Sequence, residues 1–505
     1  MIGIALLSSP TSSRRWLTAR RGKRGVPLTA LGRGIGALAL LLSCTLGARA
    51  QTPPVQPPLL RVEVGTHAAP IRALDVDATG QFAVTASEDK TARVWSLSNG
   101  ALLQTLRPPI GPGNEGKLFV AAITPDGTVV AAGGWSSDND VYLFDRASGQ
   151  LLQRITALPN TITRLAFSPD GRTLLIGLWG THGIRLFGSD SAWRSSRELG
   201  SDRQYEGEVT GADFAPDGKR LAVCSADGSV RLYQLSAGAM TLTKSTRPAG
   251  GQQPFGLAYA PDGSKLAVGF SDASAVVVLD AATLAQAYAP DTGGLGPGSL
   301  NALAWSRDGR VLSASGTWRR RDGLHGLRQW TEQGRGTFSD SGLTRNSVIG
   351  LRTLADGRLV FAATDPAWGW VAPSGQHVQS SQIVDFRGGR EAFRVSRDGT
   401  GVAFGVDAMA GPIRLMGFNL AQAGWHDPQR DWPAPTANVK GAKVEDWFDS
   451  PRPKLNGRAL PLTENERAMS AALSPTGGNL ALGTSFYLRY YRSDGTELWR
   501  VPAPG

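Results

Sequence analysis

The chain has 505 residues, which is more than one ordinary compact core contains. Hydrophobic residues make up 41% and charged residues 19%, a composition that excludes a disordered protein. The net charge of +11 is concentrated at the start, because residues 1–50 hold eight basic residues and no acidic ones. The remaining 45 basic and 42 acidic residues nearly cancel, which argues against a phosphate-binding surface and a nucleic-acid partner. The two cysteines, Cys44 and Cys224, exclude a disulfide scaffold and an all-cysteine metal cluster within one chain.

Residues 1–50 have the features of an export signal. A basic segment ends near Arg33, an apolar run at 35–42 is too short for a comfortable membrane span, and Ala48-Arg49-Ala50 is a small-x-small cleavage site. We therefore predict a cleaved signal peptide and an exported, periplasmic protein. The alternative is a membrane-anchored form lipidated at Cys44, because Leu41-Leu42-Ser43-Cys44 resembles a bacterial lipoprotein cleavage box.

The body of the chain repeats one unit. A turn of the Pro-Asp-Gly type separates two short apolar strands, a third strand ends in an aromatic or aliphatic residue, and a fourth often follows. Successive turn glycines are 42 to 48 residues apart over seven intervals and 78 apart in the eighth. Four short strands per repeat of this length are typical of a β-propeller blade. The turn glycines are Gly80, Gly127, Gly171, Gly218, Gly263, Gly309, Gly357, Gly399 and Gly477.

The first repeat carries a specific polar set, His67, Thr85, Asp89 and Trp95. These residues resemble those of WD-repeat propellers, in which a histidine, a hydroxyl, an aspartate and a tryptophan form a buried relay within one blade. The resemblance implies a structural role for the four residues, because buried polar groups must be paired. Most later repeats lack the histidine, and we expect apolar packing to hold those blades.

We predict an all-β fold, a β-propeller of seven or eight four-stranded WD-type blades at residues 59–418. A proline-rich tether at 51–58 precedes it, and the alternating stretch at 59–64 is a candidate outer strand for the last blade. Residues 419–466 lack the hairpin signal and are predicted to be an irregular insert or linker. Residues 467–505 form a ninth blade-like repeat, which either joins the ring or begins a second propeller, because one blade cannot stand alone.

Two stretches resemble a narrower group of bacterial exported proteins, which carry WD-repeat propellers ahead of a caspase-like (metacaspase-type) peptidase domain. They are residues 105–117, and residues 450–457 together with 498–502. The resemblance implies that this propeller is the sensor or regulatory part of a cysteine peptidase whose catalytic domain is absent from the chain. No position here matches the histidine and cysteine of that domain.

Bulky aromatic residues follow the second strand in several repeats. The resemblance to WD-repeat propellers implies that this connection opens on the face nearest the central channel. Aromatic side chains there suit partner recognition, because they bury a large area with few rotatable bonds. An arginine-rich loop at 319–321 is suited to an acidic partner. The candidate partner-binding face comprises Trp135, Trp179, Phe270, Trp318, Arg319, Arg320, Arg321 and Trp368.

The sequence contains no pattern of residues typical of catalysis. The five histidines form no metal-binding spacing, and Cys224 is interpreted as a buried thiol. We predict no cofactor and no metal site. The leading hypothesis is a non-catalytic, exported scaffold that binds protein partners; the alternatives are the peptidase arm described above and a periplasmic propeller enzyme with a cofactor or metal in its channel.

Overall fold

The computed structural model describes side chains and backbone over most of residues 65–502, together with five strands between residues 377 and 426. The described ranges are 65–111, 113–190, 192–236, 239–373, 436–464 and 466–502. Their strands form ten sheets of four antiparallel strands, and two single-turn 3-10 helices lie at Gly180–His182 and Glu332–Gly334. The predicted all-β propeller fold is therefore confirmed.

Seven consecutive sheets each arise from one contiguous stretch of chain and form blades 1 to 7. Blades 1 to 3 comprise β1 (Ile71–Val76), β2 (Phe82–Ser87), β3 (Ala92–Ser96), β4 (Leu102–Leu106), β5 (Leu118–Ile123), β6 (Val129–Gly134), β7 (Val141–Asp145), β8 (Leu151–Ile155), β9 (Ile162–Phe167), β10 (Thr173–Leu178), β11 (Ile184–Ser189) and β12 (Ser196–Asp202). Blades 4 to 7 comprise β13 (Val209–Phe214), β14 (Arg220–Ser225), β15 (Val230–Ser236), β16 (Ala239–Thr246), β17 (Pro254–Tyr259), β18 (Lys265–Phe270), β19 (Val276–Asp280), β20 (Gln286–Tyr288), β21 (Ala302–Trp305), β22 (Leu312–Arg319), β23 (His325–Trp330), β24 (Phe338–Thr344), β25 (Val348–Thr353), β26 (Leu359–Ala363), β27 (Trp368–Val371) and β28 (His377–Gln379).

Three further sheets follow the seven blades. Their strands are β29 (Phe393–Val395), β30 (Gly401–Val406), β31 (Arg414–Asn419), β32 (Gly424–His426), β33 (Asn438–Val439), β34 (Ala442–Glu445), β35 (Lys454–Leu455), β36 (Arg458–Ala459), β37 (Ala468–Leu473), β38 (Asn479–Thr484), β39 (Tyr487–Arg492) and β40 (Glu497–Pro502).

The recurring turn explains why each repeat folds as a hairpin. In blade 3 the N–H of Gly171 donates to the carbonyl of Ser168 at 2.8 Å, and the Asp170 carboxylate accepts from the N–H of Arg172 at 3.1 Å. The eight turn glycines within the described residues all have φ between 68° and 84°, where a side chain is disfavoured. The ninth, Gly399, lies outside the described residues.

The seven blades close into a ring. Within the described residues, seven apolar clusters each join one pair of neighbouring blades, and the last joins blade 7 to blade 1. At that closing interface the rings of Trp95 and Trp368 are 4.9 Å apart. The Arg352 Nε donates to the Asp75 carboxylate at 3.0 Å. The sequence allowed seven or eight blades, and the structure closes the ring with seven. The sheet β29–β32 is not needed for closure.

Two predictions about the segments outside the ring need comment. The segment 419–466 is not simply irregular, because residues 438–459 form the sheet β33–β36 from strands of two to four residues. Its Asn456-Gly457 turn has positive φ at both residues, as a tight hairpin requires. The predicted signal peptide, tether and 59–64 strand lie outside the described residues, and the fourth position of blade 7 is occupied by His377–Gln379. The domain limits remain predictions.

The sheets β33–β36 and β37–β40 pack against each other over a shared core. Leu455 and Leu460 from the first meet Leu482 and Tyr491 from the second. A Cβ on Gly113, in the connection from blade 1 to blade 2, would clash with the ring of Phe486. The last sheet therefore contacts the ring at this connection.

Candidate interaction face

The loops at one end of each blade define a single surface. Because the strands are antiparallel, the turn between the second and third strands and the connection to the next blade leave the sheet at the same end. We call this surface the loop face. It includes the turns at 135–140 and 179–183 and the connection at 107–117.

The four polar residues predicted for the first blade are brought together in the structure. His67 Nδ1 lies 2.8 Å from the Asp89 carboxylate, and His67 Nε2 lies 2.7 Å from the Thr85 hydroxyl. The Trp95 indole donates to the same hydroxyl at 2.8 Å. A carboxylate only accepts, so in the neutral imidazole Nδ1 carries the hydrogen and Nε2 accepts from Thr85. Thr85 thus connects the histidine to the tryptophan.

The neighbours of Asp89 stabilise the ionised form of its carboxyl group. Burial works to raise the pKa of this carboxyl, but His67 and the Thr91 hydroxyl outweigh that effect and keep the pKa well below its usual range. The backbone N–H groups of Ala68 and Thr91 also donate to it, at 3.1 and 3.0 Å. The set orders the loop before β1 and the turn after β2, which is a structural task.

Two of the predicted partner-binding aromatics are exposed on the loop face. Trp135 and Trp179 are the first residues after β6 and β10, and these two residues are 48% and 51% exposed. The N–H of Trp135 donates to the carbonyl of Lys117 at 2.9 Å, and the N–H of Trp179 donates to that of Thr161 at 2.9 Å. The backbone of each tryptophan is therefore fixed to its own blade while the indole remains accessible.

Three other predicted face residues, Phe270, Trp318 and Trp368, are buried, so their assignment to a binding face was wrong. Phe270 ends β18 and packs between blades 4 and 5, and Trp318 lies within β22 and packs between blades 5 and 6. Trp368 begins β27 and belongs to the closing interface. Because successive strand residues point to opposite faces, a shift of one position exchanges solvent for core.

The predicted arginines extend from blade 6. Strand β22 runs beyond the other second strands and pairs Arg319 with His325. The Arg319 Nε donates to His325 Nε2 at 3.1 Å, and burial together with this cation lowers the pKa of His325. Arg320 donates to the backbone carbonyl of Asp340 at 2.6 Å, whereas the side chains of Arg319 and Arg321 are exposed.

Sequence reasoning missed a further arginine beside this hairpin, just after β24. His325 pairs with Thr344 on its other side, so Arg345, the next residue, lies at the same end as Arg319. Arg345 is exposed. Its position after an outer strand carried no motif, and only the register of the sheet brings it beside the loop.

Blades without the histidine have other polar links, which corrects the expectation that apolar packing alone holds them. Between blades 3 and 4 the hydroxyl of Tyr233 on β15 donates to the carboxylate of Asp202 on β12 at 2.6 Å and lies 2.8 Å from the Tyr205 hydroxyl. In blade 6 Arg328 donates to both carboxylate oxygens of Asp340, at 2.8 and 2.7 Å. Blades without the histidine thus have hydrogen-bonded pairs in place of the four-residue polar set, and no repeat motif in the sequence predicts these pairs.

The described residues offer little reactive chemistry. They contain no group of three or more histidine, cysteine or acidic side chains placed to hold a metal ion. Burial raises the pKa of the Cys224 thiol to about 11, which opposes the thiolate form needed in a nucleophile. None of the helices in this part of the chain is long and apolar enough to cross a membrane.

Comparison with known families finds WD repeats in this chain. The family described as WD domain, G-beta repeat matches residues 59–96 and 198–234. The first match contains the polar set of blade 1, and the second covers much of blade 4. The fold and these repeats together define a WD-type β-propeller.

Similar curated proteins come from eukaryotes, and each match covers only part of both chains. The periodic tryptophan protein 2 homolog of Neurospora crassa is 30% identical over 115 residues, which cover 23% of this chain and 12% of that protein. Eukaryotic translation initiation factor 3 subunit I is 26% identical in Emericella nidulans, over 34% of this chain and 51% of that protein. In Candida albicans it is 27% identical, over 34% and 50%. The chain thus spans about half the length of these relatives, or less.

Proposed function

We propose that this WD-repeat propeller is a protein-interaction module and that it binds its partner on the loop face through Trp135 and Trp179. One observation carries the proposal: two large indoles occupy the same position in neighbouring blades and are about half exposed. Exposed tryptophans with a rigid backbone are typical anchors of protein interfaces, because they bury a large area at a low entropic cost. Some of the similar proteins are named as subunits of a larger factor, which agrees with this role.

The arginines at the blade 6 end of the loop face favour an acidic segment in the partner. Arg319, Arg321 and Arg345 present exposed guanidinium groups at one end of blade 6. Opposite charges at an interface accelerate association and select the partner more than they strengthen the complex. We therefore propose that the tryptophans supply the affinity and that the arginines orient the partner.

The test is affinity capture with three forms of the full chain. The double variant Trp135→Ser, Trp179→Ser is expected to lose a partner that the unmodified chain and Phe338→Ser both retain. Phe338 is a matched control, because it is an exposed aromatic residue on the outer strand β24, away from the loop face. Equal recovery by all three forms would contradict the assignment of the binding face.

We also propose that the module is exported and has no catalytic activity of its own. The basic and apolar segments of residues 1–50 support export, and the buried, protonated state of Cys224 supports the second statement. The intact mass of the mature protein tests export: a start at Gln51 is expected, whereas a start at Cys44 with added acyl mass would place it on a membrane. Turnover of any substrate by the purified chain would contradict the non-catalytic role.

The peptidase-arm function is a second proposal and rests on the resemblance of residues 105–117 and 450–457. The first of these stretches includes Gly113, which contacts Phe486 of the last sheet. A natural gene product that continues into a histidine–cysteine domain would support this proposal. A natural product that ends at Gly505 would contradict it.

A further inference from the structure

The last sheet, β37–β40, buries one face and exposes the other. On the buried face, Ala471, Leu482 and Tyr491 pack against β33–β36. On the other face, Leu488 and Val501 are 41% and 48% exposed, and Trp499 is 45% exposed. We call this second face the open face.

In the ring, the equivalent face is always covered by the next blade. The register makes the two sheets comparable, because Ala468 pairs with Thr484 across a bulge as Ile71 pairs with Ser87 in blade 1. Leu488 and its cross-strand partner Val501 then correspond to Ala92 and Leu106. Those two residues are 0% and 1% exposed, because blade 2 packs over them. The open face is therefore a blade face of the interior type that nothing in the described part of the chain covers.

The open face has a step. Its two inner strands carry small residues and its two outer strands carry bulky ones, and the stacked rings of Tyr490 and Trp499 are 5.0 Å apart. Two cross-strand rows define the step. From the outer to the inner edge they are Trp499, Tyr490, Ala481 and Ala472, and then Val501, Leu488, Gly483 and Ser470.

We propose that a second copy of this chain covers the open face. A two-fold axis in the plane of the interface, parallel to the strands, places the outer strands of one copy over the inner strands of the other. Trp499 then lies over Ala472 of the partner subunit, and Leu488 lies over Gly483 of the partner subunit. In both rows the bulky residues of one copy meet the alanine, glycine or serine residues of the other copy. The step is therefore complementary to itself, as a two-fold interface requires.

The composition of the face fits this arrangement, and its small size predicts a weak dimer. None of the eight residues in the two rows is an aspartate, glutamate, lysine, arginine or histidine, so the contact between these rows buries no charged side chain. The two rows contribute eight residues from each copy, far fewer than the roughly 20–30 residues per partner that are typical of stable interfaces. The dimer is accordingly weak, with half-association expected at tens to hundreds of micromolar, on the order of −5 to −6 kcal/mol.

Sedimentation equilibrium of the full chain from about 1 to 500 µM tests the proposal, since that range brackets a dimer of this strength. A concentration-dependent dimer is expected, and Trp499→Lys and Ala472→Glu are each expected to be monomeric. An equimolar mixture of the two variants is expected to recover dimer, because the introduced lysine then faces the introduced glutamate across the axis while the second Trp499–Ala472 contact remains native. The matched control is Leu151→Lys, because Leu151 is equally exposed on the outer strand β8 of the ring.

The outcomes are decisive in both directions. Dimerisation of the Leu151→Lys variant, together with recovery in the mixture, supports the two-fold arrangement. A monomer at every concentration, or a mixture that stays monomeric, would overturn it. Each variant is expected to unfold at the same midpoint temperature as the unmodified chain, which would verify that the substitutions act at the surface and do not disturb the fold. The result is independent of the loop face, so its failure leaves the proposed function intact.

Discussion

At the scale of single residues, Thr85 shows how one small side chain supports several larger ones. Its hydroxyl contacts His67 Nε2 and accepts from the Trp95 indole within a fully buried site. Both neighbours lose a partner if this oxygen is removed. Removing the hydroxyl therefore lowers the free energy of unfolding by more than one net hydrogen bond, because the buried His67 Nε2 and the buried Trp95 indole N–H are both left unsatisfied.

Thr85→Val is expected to lower the free energy of unfolding by about 2–4 kcal/mol, because it leaves two buried polar groups unsatisfied at nearly constant volume. Urea unfolding followed by tryptophan fluorescence measures the change. The control is Thr241→Val, at an exposed threonine on β16, which is expected to change the free energy by less than about 0.5 kcal/mol. Equal effects of the two substitutions would show that the buried hydroxyl contributes nothing.

Asp213 gives the ring a pH dependence. Burial raises its pKa to about 6, although the backbone N–H of Tyr259 donates to it at 2.8 Å and Arg352 lies within electrostatic range. The folded pKa lies above the unfolded value of 3.8, so the stabilising contribution is complete below pH 3.8 and is lost as the pH rises through 6. Asp213→Asn is therefore expected to unfold at a higher temperature than the unmodified chain at pH 8, with the difference vanishing near pH 4. An unchanged difference between these pH values in thermal scans would contradict the assignment.

At the scale of elements, the last sheet has its own buried ion pair. Arg489 on β39 donates to both oxygens of the Glu466 carboxylate, at 2.9 and 2.6 Å, and the hydroxyl of Thr484 also donates to Glu466. Burial works to raise the pKa of Glu466, but Arg489 and the hydroxyls of Thr463 and Thr484 lower it to about 2. The pair links the loop before β37 to the third strand, as the polar set does in blade 1.

Glu466→Gln is expected to destabilise the last sheet by about 3 kcal/mol, because it leaves the buried Arg489 without its main counter-charge. In the unmodified chain the folded pKa is below the unfolded value of 4.5, so this stabilisation is present above pH 4.5 and is lost as the pH falls toward 2. Hydrogen exchange of the β37–β40 amides between pH 3 and 7 reports it. Glu464→Gln, at an exposed neighbour, is the control and is expected to leave exchange unchanged.

The strands that the sequence predicted correctly share strong local signals. Turns such as Asp170-Gly171 encode their own backbone geometry, so the hairpins of the ring were recognisable. The sheet β33–β36 was missed because its strands are too short to show alternation, although Asn456-Gly457 marked its turn. The exposure of Trp135 and the burial of Trp318 were not separable from sequence, because the lengths of β6 and β22 depend on pairing with neighbouring strands.

At the scale of the whole molecule, the ring depends on the interface between blades 7 and 1. Trp368 is fully buried there, against Trp95, Val360 and Ala362. Arg358 also donates to the carbonyl of Leu97 at 2.6 Å across the same interface. Side chains from both blades thus complete the ring.

Trp368→Ala is expected to lower the free energy of unfolding by about 3–5 kcal/mol, because it leaves a large cavity at the closing interface. The loss is expected to fall on the whole ring, so blades 1 and 7 should gain hydrogen exchange together. Trp179→Ala, an exposed position, is the control and is expected to change stability by less than about 0.5 kcal/mol. A loss of protection confined to blade 7 would contradict cooperative closure.

The closing interface has a mechanical consequence. Every other pair of neighbouring blades is also joined by the chain itself, whereas among the described strands blades 7 and 1 share no strand and no connecting segment. A tensile load applied through residues 71 and 379 would therefore act on the contacts of Trp95, Trp368, Asp75 and Arg352, and we expect the ring to open at this interface first. Among the described residues, the strength of the ring under force therefore depends on the apolar patch around Trp95 and Trp368, the Arg352–Asp75 ion pair and the hydrogen bond from Arg358 to Leu97.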